Sequence, residues 1–170
     1  MTLITISIVV AAIIYAAYNA ISLANFGVMH SLSMTYYLWQ EKNGKGFIFS
    51  LMMYAVVALM MPSWITMSEG SNFQFLAFLA PAAIAFVATA PAFLSSGLES
   101  KVHAISAYLA AGFSLAWVCL VTPYWWIILV WLAIVAALVF WTKTLKSSYI
   151  YWLETVAFGA TFTSTILYSI

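Results

Sequence analysis

The sequence predicts an all-α fold, a polytopic membrane helix bundle of six transmembrane helices with one short cytoplasmic interfacial helix. Three observations lead to this prediction. The composition is 66% hydrophobic and only 5% charged, whereas a soluble domain carries about 25% charged residues. The apolar residues form long continuous stretches. Every basic residue falls in loops that would lie on the same side of a bundle of six spans. Such a composition fits a bilayer rather than water.

Six apolar stretches have the length that crosses a bilayer, which takes about 20 residues in a helix. They are continuous rather than alternating, and this favours helices over a β-barrel. The first is too long for a signal peptide and lacks a basic leader, so we interpret it as a retained span. The chain is therefore predicted to form a single integral membrane domain, residues 1–170. The predicted spans are residues 3–24, 47–67, 73–94, 102–122, 125–142 and 150–170.

The third predicted span, residues 73–94, is rich in alanine and carries Pro81 and Pro91. Small residues allow helices to approach closely, and a proline kinks a helix while freeing carbonyl groups. We interpret this span as a tightly packed central helix. A hinge or the lining of a cavity is the alternative interpretation.

The lysines predict the orientation of the bundle. With six spans, the loops 25–46, 95–101 and 143–149 share one side. Because lysine and arginine accumulate on cytoplasmic loops, that side is predicted to be cytoplasmic, with both termini outside. We expect the membrane to be the bacterial inner (plasma) membrane. These loops hold all the basic residues, which are Lys42, Lys45, Lys101, Lys143 and Lys146.

Residues 25–46 form the longest segment that is not an apolar run. Gly27 is suited to end the first helix, and Ser31 or Ser33 is suited to cap a following one. That following helix, residues 33–42, is predicted to lie at the membrane interface. The segment is then either a simple surface connector or a lid or docking element. The residues expected to act in a lid or docking role are His30, Ser31, Ser33, Tyr36 and Tyr37.

The string FGVMHSLSMTYYLW within this segment resembles a pattern in small, uncharacterised six-span integral membrane proteins of bacteria and their phages. That pattern reads F-G, two or three variable positions, and then S-L-S-x-T-Y-Y. The resemblance covers this segment and the general layout of spans. It implies no activity and assigns no functional residue.

Polar residues inside the spans recur at helical spacing and gather toward the lysine-bearing side. A polar group in hydrocarbon is costly unless it has a partner, so these residues should face the bundle interior. They predict a polar pocket open to the cytoplasm. Hydrogen bonding between helices is the alternative for the hydroxyls, and Glu154 could instead pair with Lys143, Lys146 or His103. The candidate pocket residues are Asn19, Tyr54, His103, Ser106 and Glu154.

The sequence contains none of the motifs that mark common catalytic or metal sites. It has no phosphate-binding loop, no H-E-x-x-H motif and no aspartate, and its single cysteine excludes a disulfide framework. We therefore predict no metal site, no cofactor and no assigned catalytic residue. The net charge of +1 gives no electrostatic reason to expect nucleic acid as a partner.

Three functional hypotheses follow, each with the lipid bilayer as surroundings. The first is a protein that binds or transports a small apolar or amphipathic solute, including a lipid, and that forms a homo-oligomer. The second is a non-catalytic membrane subunit or scaffold that docks a partner through residues 25–46. The third is an intramembrane lipid-modifying enzyme that uses Glu154, His103 and nearby hydroxyls, although the missing motifs count against an enzyme.

Overall fold

The computed structural model of the chain describes residues 2–94 and 97–170, so Ser95 and Ser96 of the predicted loop 95–101 lie outside it. The prediction of an all-α fold is confirmed. The described residues contain no strand, and they form one 3-10 helix, Leu32–Met34, together with seven α-helices. These are α1 (Leu3–Phe26), α2 (Thr35–Asn43), α3 (Phe47–Met67), α4 (Leu76–Thr89), α5 (Leu98–Val121), α6 (Trp126–Thr142) and α7 (Leu145–Ser169).

Three of these helices, α1, α3 and α5, are long and apolar enough to cross a membrane by length and composition. The helices α4 and α6 are also apolar but are shorter. The helix α7 has 25 residues and carries several polar side chains, with a departure from helical backbone angles at Ser148. The crossing of a membrane by all six long helices therefore stays a prediction.

The helix α4 covers a shorter range than the predicted span 73–94. It ends at Thr89, and Ala90 leaves the helical region with φ −114° and ψ 60°. A residue that precedes proline is disfavoured in helical conformation, so Pro91 ends this helix rather than kinking it. Pro81 does lie inside α4, where it is buried.

The segment between α1 and α3 is shaped by the end signals that the sequence contains. Gly27 follows α1 with φ 70°, and its N–H donates to the carbonyl of Leu23. Ser31 caps the 3-10 helix because its hydroxyl accepts from the N–H of Met34. Gly44, in the left-handed conformation, ends α2. The predicted helix at 33–42 thus corresponds to the 3-10 helix and α2 together.

Five helices form a closed ring. Their order around the ring is α1, α3, α4, α5 and α7, with α7 returning to α1, and α6 packs chiefly against α7 from outside. Both termini lie at one end of the bundle, since the hydroxyl of Thr5 donates to the carbonyl of Ser169 at 2.9 Å. Ser7 on α1 lies 3.1 Å from Ser63 near the end of α3, so these helices run in opposite directions. We call this the termini end.

The opposite end holds residues 25–46 and both of the other lysine-bearing segments. The N–H of Tyr151 on α7 donates to the carbonyl of His30 at 3.0 Å, and the N–H of Leu94 after α4 donates to the hydroxyl of Tyr37 at 2.8 Å. The first turns of α5 and α7 and the last turn of α6 lie at this end. All five lysines therefore lie at one end of the ring, which we call the lysine end.

Two tryptophans close the ring at the termini end. Trp64 of α3 and Trp117 of α5 are fully buried and stack with ring centroids 4.5 Å apart and nearly parallel planes. The indole N–H of Trp64 donates to Thr165 of α7, and that of Trp117 donates to Ser68 after α3. The stack therefore joins three helices and satisfies both indole donors inside an apolar environment.

Gly159 generates a stability prediction for the contact between α6 and α7. A Cβ atom added at Gly159 would lie 2.6 Å from ring carbons of Trp131, whereas one added at Gly112 would meet nothing within 4 Å. Replacing Gly159 by Ala should therefore overpack this contact and destabilise the protein by about 1–3 kcal/mol. Thermal unfolding in mild detergent should show a lower Tm for Gly159→Ala than for the wild type.

The matched control is Gly112→Ala, which also changes a helical glycine to alanine. This variant should unfold at or above the wild-type Tm, because alanine favours a helix over glycine by up to about 1 kcal/mol. If Gly159→Ala unfolded no earlier than Gly112→Ala, the close packing of α6 on α7 would be refuted.

Candidate functional site

A partly open cavity of about 70 Å³ lies inside the ring, between α3, α4, α5 and α7. A single water needs about 10–15 Å³ of such space. The cavity therefore has room for several waters or for part of a larger molecule. Its wall is mainly aliphatic, methionine and aromatic, and Trp64 borders it toward the termini end. Its apolar residues include Met53, Val56, Met60, Ile84, Phe158 and Phe162, and its polar ones are Ser33, Ser114, Glu154 and Thr161.

Helix α7 contributes two polar side chains to this cavity on one face. Glu154 and Thr161 are seven residues apart, which is two helical turns, so both project to the same side. Thr161 is 95% buried, at 5% exposure, and among the described side chains its Oγ1 is buried without a hydrogen-bond partner. Burying a hydroxyl without a partner costs about 1–3 kcal/mol. The described contacts of the protein do not offset this cost at Thr161.

Glu154 links α7 to the segment that follows α1. Its Oε2 accepts a hydrogen bond of 2.6 Å from the backbone N–H of Leu32. Leu32 begins the 3-10 helix, where backbone N–H groups have no partner within the helix itself. Lys143 and Lys146 are exposed, and the partner of Glu154 is a backbone amide rather than the lysine or histidine that the sequence left open.

His103 lies on α5 and is buried between two elements from other parts of the chain. Its Nδ1 is 2.7 Å from the carbonyl oxygen of Ala90, and its Nε2 is 3.0 Å from the hydroxyl of Ser33. A carbonyl only accepts, so Nδ1 carries a proton and donates. In the neutral imidazole, Nε2 then accepts from the Ser33 hydroxyl. The ring of Phe93 stacks on the imidazole with centroids 5.0 Å apart.

Asn19 belongs to a separate polar cluster between α1 and α7. Its side-chain oxygen accepts from the hydroxyl of Tyr151 at 2.9 Å, and its amide nitrogen lies 3.4 Å from the hydroxyl of Tyr15. All three residues are buried. This cluster gives each group a partner, and therefore it has a structural role in joining the two helices.

The structure does not bring the five candidate pocket residues together. Glu154 lines the cavity. His103 does not line it, but it contacts Ser33, which does. Ser106 is buried but is not part of the lining. Tyr54 is 43% exposed on the outside of α3, where its hydroxyl lies 2.6 Å from that of Thr89. Residue spacing alone predicted that Tyr54 faces inward. Spacing groups residues on one helical face, but it does not show how α3 is rotated about its axis.

The five lid or docking candidates also divide. His30 is exposed, with Nδ1 3.1 Å from the carbonyl of Ser147, and Ser31 caps the 3-10 helix. Tyr36 and Tyr37 are half-buried and pack edge to face, and Tyr37 reaches the segment after α4. Ser33 alone among them lines the cavity. Its pairing with His103 was not predictable from local sequence, since 70 residues separate the two.

The described residues contain no group of three or more histidine, cysteine, aspartate or glutamate side chains placed to hold a metal ion. Comparisons with protein-family models, with curated proteins and with solved structures find no match.

Proposed function

We propose that the chain is an integral membrane protein that crosses the bacterial inner membrane six times, with the lysine end in the cytoplasm and both termini outside. The alternating directions of the long helices and the five lysines at one end support this orientation. Large apolar side chains are exposed around the bundle, and lipid is the surroundings that suits them. Examples on four helices are Leu51, Phe86, Leu129 and Leu153.

Helix α7 fits this arrangement although its composition is more polar. Its polar residues Thr161, Ser164 and Thr165 are buried in the ring, whereas Leu153 is 60% exposed. A span that turns its polar groups toward protein and its apolar groups toward lipid meets the requirement of the bilayer.

The orientation predicts which engineered cysteines a membrane-impermeant maleimide reaches. In a Cys119→Ala background, Asn72→Cys at the termini end should be labelled in intact spheroplasts. Glu41→Cys at the lysine end should be labelled only after permeabilisation, because the bilayer excludes the charged reagent. Both positions are exposed. Labelling of Glu41→Cys in intact spheroplasts would show that the lysine end is outside.

We further propose that the cavity binds a small apolar or amphipathic molecule. The observation that carries this proposal is that Thr161 belongs to the wall of a mainly apolar cavity and its hydroxyl is buried without a partner. A bound molecule that offers one polar group to Thr161 would offset the cost of that burial. The apolar part would contact Met53, Met60 and Phe158, and methionine adapts readily to irregular ligands.

Glu154 and Ser33 give the cavity a polar boundary toward the lysine end. A second polar group of the same molecule would lie there, two helical turns from the one beside Thr161, with the apolar portion between them. Such a molecule would enter from the cytoplasmic side or from the adjoining leaflet. This arrangement favours the binding hypothesis over a scaffold, because a scaffold needs no cavity.

Two substitutions test binding. Thr161→Val keeps the side-chain shape and removes the hydroxyl, and Ala111→Leu fills part of the cavity, which Ala111 lines. The protein is purified in mild detergent, and retained small molecules are extracted and quantified by mass spectrometry. Thr161→Val should lower retention about threefold to tenfold, the equivalent of one hydrogen bond of about 0.5–1.5 kcal/mol. Ala111→Leu should lower it further.

The controls use the same changes away from the cavity. Thr155→Val removes a hydroxyl that bonds to its own helix at the carbonyl of Tyr151, and Ala104→Leu enlarges an exposed residue of α5. Both should retain the molecule as the wild type does. Equal retention by all four variants, or none by the wild type, would contradict a binding cavity.

A further inference from the structure

The contact between Ser33 and His103 joins a nucleophile to a base beside the cavity. The hydroxyl of Ser33 lies 3.0 Å from Nε2 of His103, which is within hydrogen-bond reach. The other ring nitrogen donates to the carbonyl of Ala90 at 2.7 Å. This second bond fixes the tautomer that leaves Nε2 free to accept a proton. A serine activated by an adjacent base that a third group orients is the recurring arrangement of nucleophilic catalysis.

The position of this pair matters as much as its internal geometry. Ser33 lines the cavity, whereas His103 is buried behind it at 5% exposure. The serine oxygen can therefore face a bound molecule. The histidine, on α5, is held in place by its hydrogen bond to the carbonyl of Ala90, the residue after α4. Phe93 covers the imidazole face and limits the orientations that the ring can adopt.

Glu154 positions the serine through the backbone. Its carboxylate holds the N–H of Leu32, the residue directly before Ser33, and Ser31 caps the same 3-10 helix. Ser33 is thus carried by a short helix anchored on both sides. Glu154 acts here as a positioning residue, because its hydrogen bond within the described part of the chain goes to the backbone N–H of Leu32.

We propose that Ser33 and His103 form a nucleophile–base pair that hydrolyses or transfers the acyl group of a lipid-like carboxylic ester held in the cavity. This inference rests on the proposed binding function, and it names the substrate class as an ester whose mainly apolar acyl chain carries one polar group opposite Thr161. The acyl chain lies along the apolar wall that includes Met53, Met60 and Phe158. The ester carbonyl lies beside Ser33, at the boundary toward the lysine end.

The reaction balances without a metal or a redox partner. The Ser33 oxygen attacks the carbonyl carbon and forms a C–O bond while its proton passes to Nε2 of His103. The bond to the leaving alcohol then breaks, and the alcohol takes that proton, which leaves an acyl-serine. Water, or a second alcohol, attacks the acyl-serine as His103 removes its proton. The serine oxygen leaves and regains a proton, and the product is a carboxylic acid or a new ester.

The test uses an alkyl fluorophosphonate carrying a reporter group, added to membranes that contain the full-length protein. The reagent reacts with activated serines: an O–P bond forms, fluoride leaves, and the base takes the serine proton. We expect the wild type to be labelled, and peptide mapping should locate the adduct on Ser33. Ser33→Ala should abolish labelling. His103→Gln should slow it by about 10²–10⁴-fold, the usual contribution of a general base.

Ser106→Ala is the matched control, since Ser106 is also buried and lies on α5 but does not line the cavity, so its loss should leave the labelling rate unchanged. A wild type that stays unlabelled, or one labelled at another serine, would overturn the inference and leave a structural link between α5 and the 3-10 helix. The retention measurement keeps the two proposals apart. If the wild type retains a small molecule but is not labelled at Ser33, the chemistry alone is refuted. If the wild type retains no small molecule, the binding proposal is refuted.

Discussion

The hydrogen bond from the Leu32 amide to the Glu154 carboxylate is the contact on which the lysine end of the bundle depends. It joins the segment after α1 to α7, two parts of the chain separated by 122 residues. A buried amide N–H left without an acceptor costs about 1–3 kcal/mol. Because this hydrogen bond fixes the 3-10 helix, it also sets the place of Ser33 relative to His103 and the cavity.

Other buried polar groups also have hydrogen-bond partners within the protein, since a bilayer supplies no water to satisfy them. Tyr151 donates to Asn19, Trp39 donates to Ser22, and the stacked tryptophans at the termini end each find an acceptor. Each pair joins different helices or segments. The hydroxyl of Thr161 is the exception in the described residues, and Thr161 belongs to the cavity wall. The proposed ligand accounts for that exception.

The sequence predicted the helical class, the end signals of residues 25–46 and the concentration of lysines in alternate loops. These depend on local composition and on single residues such as Gly27 and Gly44, whose backbone angles few other residues adopt. The sequence did not predict the rotation of α3, which exposes Tyr54, or the early end of α4. It also could not pair Ser33 with His103, because that contact depends on how distant helices pack.

Hydrogen–deuterium exchange at residues 28–35, measured in lipid nanodiscs, tests the central contact most directly. Replacing Glu154 by Leu removes the acceptor of the Leu32 amide, so exchange there should rise about fivefold to a hundredfold, the equivalent of about 1–3 kcal/mol. Glu154→Gln keeps an acceptor oxygen and should raise it less, and Glu69→Leu at the termini end should leave it unchanged. Equal exchange at the Leu32 amide in the wild type and all three variants would contradict the account.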